Sequence, residues 1–240
     1  MPSVTVNATL QGRVFYTLSA GLINWTSQVR DASTGSTATT YTSGFSQGGA
    51  IRVYLIAGRS GYVGHCSRVF LFFDNLDTLT GGGTITAATL KVYNASSSNA
   101  INTIPVEATA WGSNGTSTTL STSDYSNLNQ SIPYASEKLT WSSGYNDYSL
   151  NNVCIAEMNA NGYLNVAVIE GQYDYGNTSP ALNQSSETAS VRFLDSTNKI
   201  KLELTYTAAG YGNDVINVPS SSVKSIINIA SGDIDTVINV

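Results

Sequence analysis

"SRVFLFFDNLDTLTGGGTITAATLKVYNA", Ser67 to Ala95, sets two strand patterns on either side of a turn-rich break. Its first part, Ser67 to Phe73, is apolar on both faces, so the strand it predicts must be covered on both sides and belongs in the middle of a sheet. Its last part, Ile85 to Asn94, reads as a second strand, and "GGG" at Gly81 to Gly83 is a loop between them.

The same pattern extends both ways. Upstream, "SVTVNATLQ" alternates on Val4 and Val6, "RVFYTL" follows Gly12, and "IRVYLIA" covers Ile51 to Ala57. Downstream come "TIPVEATAW" (Thr103 to Trp111), "YLNVAVIEG" (Tyr163 to Gly171), "ASVRFLD" (Ala189 to Asp195) and "KIKLELTYT" (Lys199 to Thr207). Nine strands separated by Gly, Asn and Ser punctuation predict an all-β chain, most economically an antiparallel sandwich. One short helix is expected in "SLNNVCIAEMNANG", with Leu150, Val153, Cys154 and Met158 near helical spacing, Ser149 as N-cap and Gly162 beyond the end.

A chain of 240 residues with 41% hydrophobic residues can build a real core, as one large β domain or two small ones. Charged residues make up 11%, against roughly 25% in globular proteins, and the surface is left to Ser, Thr, Asn and Gly. A net charge of −5, with no basic stripe, argues against a nucleic-acid partner. The first residues lack the basic and apolar regions of a secretory signal, so synthesis in a host cytoplasm is expected. No apolar run is long enough to span a membrane. Cys66 and Cys154 follow no metal spacing and read as reduced core residues.

Three stretches in order carry a resemblance: Ser67 to Ala95, then "ATAWGSNGTSTTLSTSDYSNL", then the closing pair "SVRFLDSTNKIKLELTYT". Over roughly Ser67 to Thr207 the order is similar to jelly-roll domains related to carbohydrate-binding modules, found in secreted bacterial proteins and in virion proteins of tailed bacteriophages. The C-terminal stretch "VINVPSSSVKSIINIASGDIDTVINV" resembles the x-I-N-V repeats that end many phage structural proteins. Together the resemblances imply a virion protein, and neither carries a catalytic residue to transfer.

In that C-terminal stretch Asn217, Asn228 and Asn239 recur every eleven residues. Each unit places apolar residues at i, i+3 and i+4 after a Ser-containing turn: Val223, Ile226 and Ile227, then Ile234, Val237 and Ile238. Ser can start a helical turn and Asn can end it, so a helical or turn repeat is expected. Pro219 and Gly232 oppose one continuous helix. So short an apolar stripe cannot bury itself. Val215, Ile216, Val218, Ile229 and Val240, with the six residues above, are therefore expected to dock on other virion proteins, of capsid or tail, or on copies of the same chain. The layout expected is a jelly-roll sandwich over 1–207, a linker over 208–214 and the repeat tail over 215–240.

There is no HExxH and no Gly-rich phosphate loop opening a helix, and the one histidine, His65, reads as structural. Paired acids can make a glycosidase without a sequence signature, and the candidates are Glu107, Asp124, Asp147, Glu157, Glu170 and Asp174. The plainer reading of turn-forming or solvated acids is preferred, with no enzyme, no cofactor and no metal. "FFDNLDT" offers Asp74, Asn75 and Asp77 as oxygen ligands but lacks the rest of a calcium loop, so an Asx-type turn is expected. Trp111, Trp141, Tyr145, Tyr173 and Tyr175 lie in loop-like stretches beside Asn and Asp, the mixture a host-surface glycan would need. The expected role is a capsid decoration protein or head fibre located in the virion. A glycan-binding attachment module or tail component is the alternative.

Overall fold

The apolar run at Ser67 to Phe73 lies in a strand that is hydrogen-bonded along both edges and buried on both faces. A computed structural model describes residues 1–41, 47–95, 101–112, 115–185, 189–193 and 198–209, and the strand pair Ser225–Ile226 and Ile229–Ala230. In chain order the strands are β1 (Ser3–Asn7), β2 (Leu10–Ala20), β3 (Thr37–Tyr41), β4 (Gln47–Gly58), β5 (Gly61–Phe73), β6 (Thr84–Asn94) and β7 (Thr103–Ala108). They continue with β8 (Leu128–Pro133), β9 (Gly144–Ser149), β10 (Leu164–Glu170), β11 (Gln184–Ser185), β12 (Ala189–Phe193) and β13 (Lys201–Thr207). Helix α1 (Leu76–Leu79) follows β5, and α2 (Asn152–Asn161) precedes β10.

All nine expected strands are present, every pairing among the described residues is antiparallel, and the chain is all-β in its framework. The sheet has two halves. In one, β13 lies between β1 and β6, and β9 takes the far edge of β6. In the other, β2 covers one edge of β5, with β3 outside it, while β10, β7 and β8 extend from the opposite edge. Strand β4 belongs to both, because residues 47–51 pair with β12 and residues 52–58 pair with β5. Where it changes partner, the buried Ser67 hydroxyl accepts from the Arg52 N–H (2.9 Å) and donates to the Ala50 carbonyl (2.7 Å), standing in for the missing ladder bonds.

Alternation along β5 divides its side chains between two cores. Val69, Leu71 and Phe73 join Val166 and Val168 of β10, Leu90 and Val92 of β6, and Leu202 and Leu204 of β13, so this core lies between the two halves. Phe70 and Phe72 point the other way, to a second core with Ile104, Val106, Ala167 and Ile169, roofed by Trp25, Val29, Trp111 and Tyr125 from loops and short turns. Gly64 is needed there: a Cβ would stand 2.8 Å from Val29 and 3.3 Å from the Trp25 ring.

The N-cap of helix α2 lies two residues later than the Ser149 expectation. Ser149 ends β9, and Asn151 is the N-cap, its side chain accepting from the Cys154 N–H. Gly162 closes the helix at φ 72, as the sequence suggested. Leu150, Cys154 and Met158 are buried, whereas Val153 faces solvent. At the end of β5 the Asp74 Oδ1 accepts from the N–H of the next residue, Asn75, at 2.8 Å, one residue short of the i+2 bond of the expected Asx turn, and Asn75 itself turns the chain at φ 58.

In the tail, Ser225–Ile226 (β14) pairs antiparallel with Ile229–Ala230 (β15), with Ile226 opposite Ile229. The helical turn expected through Ile226 is therefore replaced by strand, because β-branched residues at these positions pair across rather than stack along a helix. Val215, Ile216, Val218, Val223, Ile227, Ile234, Val237, Ile238 and Val240, and residues 210–214 of the expected linker, lie outside the described residues.

Candidate functional site

The aromatic residues expected to stack on a glycan do not form a platform. Trp111 and Trp141 are 1% and 0% exposed, one in each core, and Tyr173 is buried with Trp111. Indole rings clasped on both faces by core side chains have no face to offer a sugar. Tyr145 is half-buried, set edge-on to Tyr93 at 5.1 Å with the Lys201 ammonium 4.7 Å from its ring. Tyr175, also half-buried, lines a shallow groove with Ile104, Pro133 and Glu137. The sequence signal, Trp and Tyr in polar loops, marked loops that fold back over the sheet.

Most of the six acids are held in structural roles. Asp147 pairs with Lys91 at the surface (3.0 Å), and Asp124 caps a short helical turn by accepting from the Ser121 N–H (2.8 Å). Glu107 and Glu157 both line a cleft of about 290 Å³, shared with Tyr134, Asn161, Tyr163 and Asn165. The Tyr134 hydroxyl donates to Glu157 and the Asn129 amide to Glu107 (2.9 Å). Burial and the neighbouring Glu157 push the Tyr134 phenol well above its ordinary range, so it acts here as a hydrogen-bond donor.

The strongest electrostatic feature is buried beneath the second core. Asp174, 0% exposed, receives Arg68 in a two-point contact: Nε to Oδ2 at 2.8 Å and Nη2 to Oδ1 at 2.7 Å. Arg68 also donates to the Tyr125 and Arg30 carbonyls (2.7 and 2.8 Å), and its guanidinium lies 4.2 Å from the Tyr125 ring centre. Gln130 donates to Asp174 Oδ1 (2.8 Å), and Cys66 donates its S–H to Oδ2 (3.3 Å). Burial, then the adjacent Asp174 charge, holds the Cys66 thiol well above its usual range, which makes it an inert donor. Arg68 thus ties three turns, Thr26–Arg30, Thr122–Ser126 and Gly171–Tyr175, to strand β5.

Glu170 holds the last of those turns in place. Its carboxylate accepts from the N–H groups of Gln172, Tyr173 and Asp174, yet burial pushes its pKa up to about 7 against those bonds. A carboxyl with a raised folded pKa contributes stability that is full below about pH 4.5 and is lost as pH rises towards 7. The expected loss across that window is about 3 kcal/mol. Denaturant unfolding from pH 4.5 to 7.5 tests this: Glu170→Gln should flatten that part of the profile, and an unchanged slope would contradict it.

His65 and Cys66 are adjacent on β5 and point to opposite faces, so they cannot act as a pair. Burial, with Arg52 and Arg13 nearby, lowers the His65 pKa to about 4, leaving a neutral ring that shares a hydrogen bond with the Thr17 hydroxyl (2.8 Å). The Arg68 centre left one trace in the sequence, an arginine inside a run otherwise apolar on both faces. Cys66 and Cys154 are both free and sit in different cores. No helix among the described residues is long and apolar enough to cross a membrane. Comparison with protein-family models finds no match to this chain, and comparison with curated proteins finds none either.

Proposed function

We propose that the chain is a non-enzymatic structural protein of a tailed-bacteriophage particle, a capsid decoration protein or head fibre. In this reading a jelly-roll sandwich is fixed to the particle, or to further copies of itself, through the apolar C-terminal repeat. The observation that carries it is the β14–β15 pair, which among the described residues forms a two-stranded sheet of its own, with no ladder to the thirteen strands of the main sheet. A lone hairpin is marginal in water, and one set among Val and Ile gains stability by packing on another surface. The low-charge surface, the antiparallel framework and the structural use of Asp124, Asp147, Glu170 and Asp174 support the same reading.

Ending the chain after Thr207 tests it. The shortened protein should keep its β-sheet circular dichroism and lose at least about tenfold in binding to particles or in self-association, read by light scattering and particle co-sedimentation. Equal incorporation of the shortened and full chains would remove the anchoring role.

A further inference from the structure

The chain's charge is unevenly placed. Residues 1–73 contain five of the eleven Lys and Arg but one of the sixteen Asp and Glu, a net of +4, and the rest of the chain carries −9. Asp31, the one acid in that part, is paired with Arg30. Strands β2, β3, β4 and β5 therefore carry no acid at all.

On one face of these strands the side chains form a continuous row. The Arg13 guanidinium lies 5.1 Å from the Phe15 ring, Phe15 is 5.3 Å from His65, His65 stacks on Tyr54 at 4.8 Å and 9°, and Arg52 lies 4.9 Å from Tyr54. Register explains the row: Thr17 and Tyr54 flank His65, and Phe15 and Arg52 flank Ser67. Val69, Leu71 and Phe73 of this face are in the core between the halves of the sheet, whereas Val63 and His65 lie beyond it. Arg52 is exposed and Arg13, Phe15, Tyr54 and His65 are half-buried. Among the described residues neither guanidinium has a carboxylate partner, and the buried Arg13 Nε has no acceptor.

We infer that this face binds an anionic polysaccharide, one bearing carboxylates or sulfates along its length. The two arginines stand on strands with one strand between them, roughly 10 Å apart, each braced against an aromatic ring with its planar fork able to take an oxyanion at two points. Thr37 and Thr39, opposite Phe15 and Arg13, add hydroxyls that both donate and accept, as sugar hydroxyls require. Tyr54 is engaged by His65 and Arg52, and Phe15 by Arg13 and a tilted His65, so both rings pack within the row instead of standing out as stacking platforms for nucleobases. The face belongs to the sandwich, so it stands or falls apart from the role of the tail.

The test is binding of the full chain to polygalacturonate and to dextran sulfate, with uncharged dextran and poly-glutamate alongside, at low and high salt. Both anionic polysaccharides should bind, dextran should not, and binding should weaken with salt. Arg52→Gln, at an exposed position where folding is not in question, should weaken binding several-fold, and Arg13→Gln with Arg52→Gln at least about tenfold. No binding to either polysaccharide, or binding unchanged in both variants, overturns the inference. Poly-glutamate bound as tightly as the polysaccharides also overturns it and reassigns the face to a protein partner.

Discussion

Asp174→Ala should cost about 3–5 kcal/mol of folding stability, the penalty of leaving a buried charge without its partner. Arg68 is 3% exposed, so water cannot replace the lost carboxylate, and the remaining Tyr125 and Arg30 carbonyls neutralise no charge. The Gly171–Tyr175 turn would lose its tie to Arg68, while the other two turns keep theirs through the carbonyls. Urea unfolding followed by tryptophan fluorescence reads the effect, because Trp25 and Trp111 roof the same core. Replacing both partners, Arg68→Met with Asp174→Leu, should recover most of the loss, since the pair repays its desolvation without adding much beyond it. A single variant within about 1 kcal/mol of the parent would mean that the turns are held by their apolar contacts alone.

Trp141→Ala should be of similar size, about 3–5 kcal/mol, for a different reason. The ring is fully buried between the halves of the sheet, and the loop that carries it is clamped by two buried asparagines. Asn146 accepts from the Ser142 N–H (3.0 Å) and donates to the Ser142 carbonyl (2.8 Å), while Asn94 donates to that carbonyl from β6 (3.2 Å). A clamped loop cannot collapse into the space left by the indole, so the cavity term is paid nearly in full. The indole Nε1 has no acceptor among the described residues, so Trp141→Phe should lose far less. Thermal unfolding of the two variants separates the terms, and equal losses would show that ring volume is not what matters.

Strands were legible wherever apolar residues alternated or ran together, because that pattern is what a half-buried or doubly buried strand requires. β3, β8 and β9, "TATTY", "LNQSIP" and "GYNDYS", escaped notice for the same reason. Each lies at the margin of the sheet, bears polar side chains on much of its surface, and owes its conformation to the neighbour it pairs with. The loop tryptophans misled because composition cannot say whether a loop faces water or lies back over the sheet. Asp174 and Arg68 are 106 residues apart and meet only through the fold. The arginine row had a readable trace, the triplets Arg13-Val14-Phe15 and Arg52-Val53-Tyr54, each placing a cation two residues before an aromatic ring on one strand face. What no reading of single strands supplies is that β2 and β4 flank the same strand.

The position of β13 bears on how the protein would carry force. Its last residue, Thr207, is the point from which the chain continues towards the repeat, and β13 is hydrogen-bonded to β1 along one edge and to β6 along the other. The Tyr206 N–H also donates to the Pro2 carbonyl (3.2 Å), so the ladder with β1 runs to the end of the strand. Tension applied through the tail runs along β13 and would have to slide it past both neighbours together. Bonds set across the pull break as a group, whereas a strand peeled from an edge would release them one at a time. A sandwich held by this end resists detachment as a sheared joint does, with the first core on the same strand, through Leu202 and Leu204, adding its burial to the resistance.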